Sequence, residues 1–146
     1  MTMRRTRAFT LVEVLTALVV IGVLAAIAIP TWRTHLLRVR RADARDSLVA
    51  LQAAQDRYFG RHARYASGAQ LSAPDGLGLA ATSKQGLYSI VLDTSADELA
   101  YTATARPIAR AGQDADDRCA VFSIDHVGQM RAVDSAGADR SQDCWK

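Results

Sequence analysis

Residues 9–29 read Phe9-Thr10-Leu11-Val12-Glu13-Val14-Leu15-Thr16-Ala17-Leu18-Val19-Val20-Ile21-Gly22-Val23-Leu24-Ala25-Ala26-Ile27-Ala28-Ile29, and Pro30 follows. The stretch holds 21 residues with a single charge, Glu13, and only Thr10, Thr16 and Gly22 relieve its apolar run. As a helix rising about 1.5 Å per residue it is about 31 Å long, enough to cross a hydrocarbon core. Three readings compete for it: a cleaved secretory signal with Ala26-Ile27-Ala28 as the small-residue cleavage site, an uncleaved anchor, or a leader cut before the run so that the run stays on the protein.

Glu13 separates these readings. A carboxylate in a hydrophobic helix costs about 2.5–3.5 kcal/mol at the bilayer centre and less toward an end. A secretory signal gains nothing from that cost, and an intramembrane acid asks for a partner. A cut between Ala8 and Phe9 supplies one, because it creates a free amine four residues from Glu13.

With 146 residues the chain has room for one small domain beside a long helix. Its computed isoelectric point near 9.2 suggests nucleic acid until the charges are located. Removing Arg4, Arg5 and Arg7 from the 18 basic residues leaves 15, against 15 acidic ones. The basic excess therefore belongs to the leader, and no nucleic-acid partner is expected from charge. Arg33, Arg38, Arg40, Arg41 and Arg45 follow the span, so a positive-inside count alone favours the opposite topology. That neck cluster either touches anionic headgroups or is a solvated face.

Cys119 and Cys144 lie in no CxxC pair and have no histidine at zinc spacing. Behind a membrane segment they read best as one disulfide in an oxidising compartment, with two buried thiols as the alternative. A bridge there contributes about 3.5 kcal/mol in the chain-entropy model.

Past Pro30 the helical pattern continues to about Gly60. Ala44, Leu48, Leu51, Gln55 and Tyr58 recur at helical spacing, Leu37 extends the stripe backward, and Tyr58 and Phe59 anchor it. Asp43, Asp46, Asp56, Arg45 and Arg57 take other faces. Gly68, Pro74, Gly76 and Gly78 mark a long connection up to Gln85. Alternation then predicts strands through Tyr88–Leu92, Leu99–Ala105, Cys119–Ile124 and Gln129–Val133, the last two joined by an Asp125-His126-Val127-Gly128 turn. The expected class is α+β: a helix covering one face of an antiparallel sheet.

No nucleophile elbow, Walker loop or HExxH is present, and His35, His62 and His126 are scattered. Asp114, Asp116 and Asp117 lack the twelve-position calcium loop and its closing glutamate. No enzyme, metal or cofactor is expected.

Ala8-Phe9-Thr10-Leu11-Val12-Glu13 resembles the cleavage and methylation signal of type IV prepilins. The terminal Cys119, Asp125, Gly128 and Cys144-Trp145 arrangement resembles the PilE-type minor pilin group. The family prefers Gly where this chain has Ala8. The resemblance implies a type IV pilin fold with a leader at 1–8, a membrane-spanning and filament-core helix at 9–30, an amphipathic continuation at 31–60, and a periplasmic head at 61–146. It implies processing by prepilin peptidase between Ala8 and Phe9, with methylation of the new amine. Assembly then runs through Phe9 and Glu13, and the helix is interrupted at Gly22 and Pro30. The implied partners are membrane lipid, an inner-membrane assembly platform and other pilin subunits. The implied location is a single-pass inner-membrane protein with a cytoplasmic N-terminus, later part of an extracellular filament. Adhesion, twitching motility and DNA uptake are activities of such filaments. A type II secretion pseudopilin, or a secreted binding module cleaved after Ala28, are the alternatives.

Overall fold

The computed structural model describes residues 10–146. The leader at 1–8, the cleavage position at Ala8 and the Phe9 amine lie outside the described residues. The chain forms two units, the second being Leu37–Lys146 and the first ending at Leu36.

Helix α1 runs Leu11–His62. Its start has a local cause that the pattern reading missed. The Thr10 carbonyl accepts the first helical bond from the Val14 N–H at 3.2 Å. The Thr10 hydroxyl accepts the Glu13 N–H at 3.3 Å. Thr10 and Glu13 thus stand at the Ser/Thr-x-x-Glu spacing of a helix N-terminus, and a carboxylate in the first turn suits the helix dipole.

In this single chain α1 is continuous through Gly22 and Pro30, the positions at which an interruption is expected. Proline at 30 removes the hydrogen bond its N–H would give Ala26, but one missing bond does not end a helix propagating strongly on both sides. Two threonines brace the turns around it. Thr31 Oγ1 donates to the Ile27 carbonyl, and Thr34 Oγ1 to the Pro30 carbonyl, each at 3.1 Å.

The head unit packs the Leu37-onward part of α1 on four antiparallel strands in the order β1-β2-β3-β4. These are β1 (Tyr88–Thr94), β2 (Tyr101–Pro107), β3 (Val121–Asp125) and β4 (Met130–Val133). Register aligns one apolar face: Ile90 opposes Ala105, Leu92 opposes Ala103, Ala103 opposes Ile124, Ala105 opposes Phe122, and Phe122 opposes Ala132. Against this face lie Ala44, Leu48 and Leu51 of the helical stripe. Side chains such as Leu48, Leu51, Phe122 and Ile124 each contribute about 1.5–3 kcal/mol by burial.

Four details differ from the sequence expectation. Asp43, off the apolar stripe, is nevertheless buried. Its carboxylate accepts from the Ser83 hydroxyl and from the Gln85 N–H, and the same hydroxyl accepts from Leu87 N–H and Tyr88 N–H. One carboxylate thereby sets the chain's entry into β1. Phe59 lies at the core's rim and packs against Tyr65 with tilted rings, centroids 4.7 Å apart. Leu99 precedes β2 and is exposed, because Ser95 and Ala100 close a turn around it. Cys119 belongs to a 3-10 turn, Asp117–Cys119, just before β3.

The long connection contains a short 3-10 turn, Gly68–Gln70. Gly76 is required there: a Cβ at that position would stand 2.1 Å from the Gln70 carbonyl oxygen. The β3–β4 turn uses Gly128 at φ 79°, and Asp125 Oδ1 accepts the N–H groups of Val127 and Gln129.

Candidate functional site

The head docks on α1 through polar pins at both ends of the apolar stripe. Near the start of the head unit, Arg41 forks onto Asp116 at 2.6 and 2.8 Å, and Gln113 Nε2 donates to the Leu37 carbonyl at 3.2 Å. Near the far end, Gln55 is fully buried and makes a closed pair with Ala66, donating to its carbonyl at 2.9 Å and accepting its N–H at 2.8 Å. Tyr58 OH accepts from Gln70 Nε2 at 2.9 Å. Sequence reading found Gln55 and Tyr58 by periodicity but not Arg41, Asp43, Gln113 or Ser83. Their partners are 40 to 76 residues away, beyond any periodic signal.

Of the aspartates weighed as a calcium loop, only Asp116 has a side-chain partner among the described residues. Asp116 is the acceptor for Arg41, and no group of three potential metal ligands occurs among the described residues. Burial pushes the Tyr88 phenol up to about 12 and raises Tyr101 further still. The backbone N–H of Ala138, with the Arg140 guanidinium, holds Asp134 below the usual carboxylate range.

Cys119 and Cys144 are bridged, with Cα atoms 5.9 Å apart. The bridge ties the turn before β3 to helix α2 (Ser141–Cys144). Next to it, Trp145 packs on Phe122 at 5.9 Å and donates from Nε1 to the Arg131 carbonyl at 2.8 Å.

The other unit has the opposite character. An 18-residue window of α1 averages a hydropathy of 2.7 with none of it buried. Leu11, Val12, Leu18, Val20 and Ile27 are 57–76% exposed. In water a face of this size is untenable, so it marks a membrane or protein contact. Glu13 is exposed on its first turn, and Gly22 and Pro30 lie within it. The chain thus carries an apolar half-helix with none of its described hydropathic window buried, and, as a separate unit, a closed and disulfide-bridged head.

Comparison with known proteins agrees with this division. Residues 3–29 match the prokaryotic N-terminal methylation motif. Residues 30–123, more than half the chain, match the family described as "Type IV minor pilin ComP, DNA uptake sequence receptor". The type IV major pilin protein PilA of Myxococcus xanthus is 41% identical over 61 residues, 42% of this chain and 28% of PilA. The type II secretion system core protein G of Klebsiella pneumoniae is 32% identical over 95 residues, 65% of this chain and 57% of that protein. The chain therefore spans less than two thirds of either relative. A type IV pilin from Shewanella oneidensis aligns in structure with a TM-score of 0.47 and 26% identity, over 64% of this chain and 89% of that one. By the family match across residues 30–123, the chain belongs to the type IV minor pilin ComP family.

Proposed function

We propose that the chain is a structural subunit, a minor pilin, of a type IV pilus. It is cut between Ala8 and Phe9 by prepilin peptidase, methylated on the new amine, and held in the inner membrane with its N-terminus cytoplasmic and its head periplasmic. It then moves through an assembly platform into the filament. The observation that carries this reading is the apolar half of α1, none of it buried, with one carboxylate on its first turn. Moving that helix from lipid into a bundle of like helices preserves its apolar burial, and the neighbouring Phe9 amine compensates Glu13. Loss of helical order around Gly22 and Pro30 belongs to the assembled state in this account. Of the arginines in the charge count that favoured the opposite topology, Arg41 is paired with Asp116 of the head, and the signal motif and the disulfide are weighed above the count. Mass spectrometry of sheared filaments tests the reading. A methylated Phe9 N-terminus supports it, and an intact Met1 or an Ile29 start removes it.

A second reading concerns the ligand of the head. The family description names a DNA uptake sequence receptor, which makes duplex DNA the candidate ligand despite a leaderless charge of zero. Net charge sums over the surface, whereas phosphate binding needs only a local basic patch. Binding of fluorescent duplex to the detergent-solubilised full chain at low salt tests this. Absence of binding there removes the DNA reading and leaves the structural one intact.

A further inference from the structure

The apolar span ends at Ile29, and the next turn of α1 carries Trp32, Arg33 and His35. Trp32 is 67% exposed, although a tryptophan side chain of a soluble surface would fold against something apolar. It stands between two shallow recesses on the helix surface. One is lined by Leu24, Ile27, Ala28, Thr31, Trp32 and His35. The other is lined by Ala28, Ile29, Trp32 and Arg33. Ala28 and Trp32 line both, and the His35 and Trp32 ring centroids are 6.2 Å apart. Arg33 is exposed and has no hydrogen-bond or ion-pair partner among the described residues, unlike Arg40, Arg41 and Arg45.

We propose that this second recess is a binding site for an anionic phospholipid, with the phosphate on Arg33 and the first acyl carbons against Ala28, Ile29 and Trp32. The inference rests on the membrane reading above and adds a headgroup preference to it. Position is the first argument. Residues 11–29 measure about 28 Å along the axis, close to the hydrocarbon thickness, so Trp32 and Arg33 fall about 5–6 Å beyond it, at headgroup depth. Chemistry is the second. Tryptophan concentrates at the membrane interface because its ring is apolar and its N–H polar. A planar guanidinium forks onto phosphate oxygens, and the recess beside it is apolar. Anchored in this way, the subunit has a fixed depth before extraction, and releasing the lipid becomes part of entering the filament.

The full chain is reconstituted in bilayers of phosphatidylcholine and phosphatidylglycerol at equal mole fraction, with bromine in the acyl chains of one lipid or the other. The emission lost in Trp32→Phe isolates Trp32 from Trp145. The expected result is stronger quenching by brominated phosphatidylglycerol, corresponding to an enrichment of about fivefold. The preference falls toward one in Arg33→Gln and weakens as salt screens the charge. Equal quenching by the two lipids overturns the proposal, as does a preference that survives Arg33→Gln. No quenching by either lipid also overturns it, but through failure of the membrane reading itself.

Discussion

Arg41 holds Asp116 by both ends of its guanidinium, Nε to Oδ2 at 2.6 Å and Nη2 to Oδ1 at 2.8 Å, across 75 residues of sequence. Their side chains are 12% and 4% exposed, so the pair fastens α1 to the segment before β3 in a largely dry setting. Removing one partner leaves a buried charge, and that asymmetry can be measured. Asp116→Ala should destabilise the head by about 3 kcal/mol, at the low end for buried pairs because Arg41 keeps some access to water. The double variant Arg41→Met, Asp116→Leu should recover most of the loss. Chemical denaturation checks both, and a single variant costing under about 1 kcal/mol would contradict the role.

Gln55 offers a second, charge-free test of docking. Its loss orphans the Ala66 N–H, while the Ala66 carbonyl keeps the Thr94 hydroxyl at 2.9 Å. Gln55→Leu should therefore cost about 1–3 kcal/mol, the penalty of one buried unpaired donor. Hydrogen exchange should localise the damage to the turn after α1.

The disulfide should matter on the same scale as the Arg41 pin. Cys119→Ser is expected to cost about 2–5 kcal/mol, as bridge loss does in small secreted domains. Reductant should lower the melting temperature of the parent chain and leave the variant unmoved. Equal sensitivity of both would show that the bridge is not the reducible element.

Alkaline stability follows from the buried phenols. The folded-state pKa of Tyr88 is raised from 10.0 to about 12 by burial, so the neutral form is favoured in the fold. Its contribution is fully present below pH 10 and is lost as pH rises through 12. Tyr101 acts in the same direction. Tyr88→Phe should move the midpoint of alkaline unfolding upward by circular dichroism, and a midpoint unchanged or lowered would exclude this cause.

Periodic features were legible in the sequence, and paired ones were not. The stripe Ala44, Leu48, Leu51, Gln55, Tyr58 and the alternation of Tyr88, Ile90 and Leu92 reflect burial against a face, which repeats at the element's own period. Asp43 broke the pattern reading because a buried carboxylate is tolerated only where distant donors meet it, here Ser83 and Gln85. Leu99 mimicked a strand residue by adjacency alone, yet turn bonds from Ser95 decide its place. Of the site, Glu13 was visible as a lone charge in an apolar run. The bond from its backbone N–H to Thr10 was not, because a Thr-x-x-Glu spacing inside an apolar run carries no periodic signal of its own.

That capping relation sharpens the test of Glu13. Alanine and glutamine at 13 both keep the backbone N–H that bonds the Thr10 hydroxyl, and glutamine also keeps the side-chain length suited to the third helical position. Glu13→Ala and Glu13→Gln should both insert in the membrane and be cut after Ala8, because each makes the helix less costly to bury. The decisive measurement is the ratio of subunit in sheared filaments to processed subunit in the membrane, for the parent chain and for Glu13→Gln. The account predicts a fall of at least tenfold in that ratio for Glu13→Gln, since a desolvated amine left without its partner costs about 3–5 kcal/mol. Incorporation of Glu13→Gln at the parental ratio would contradict it.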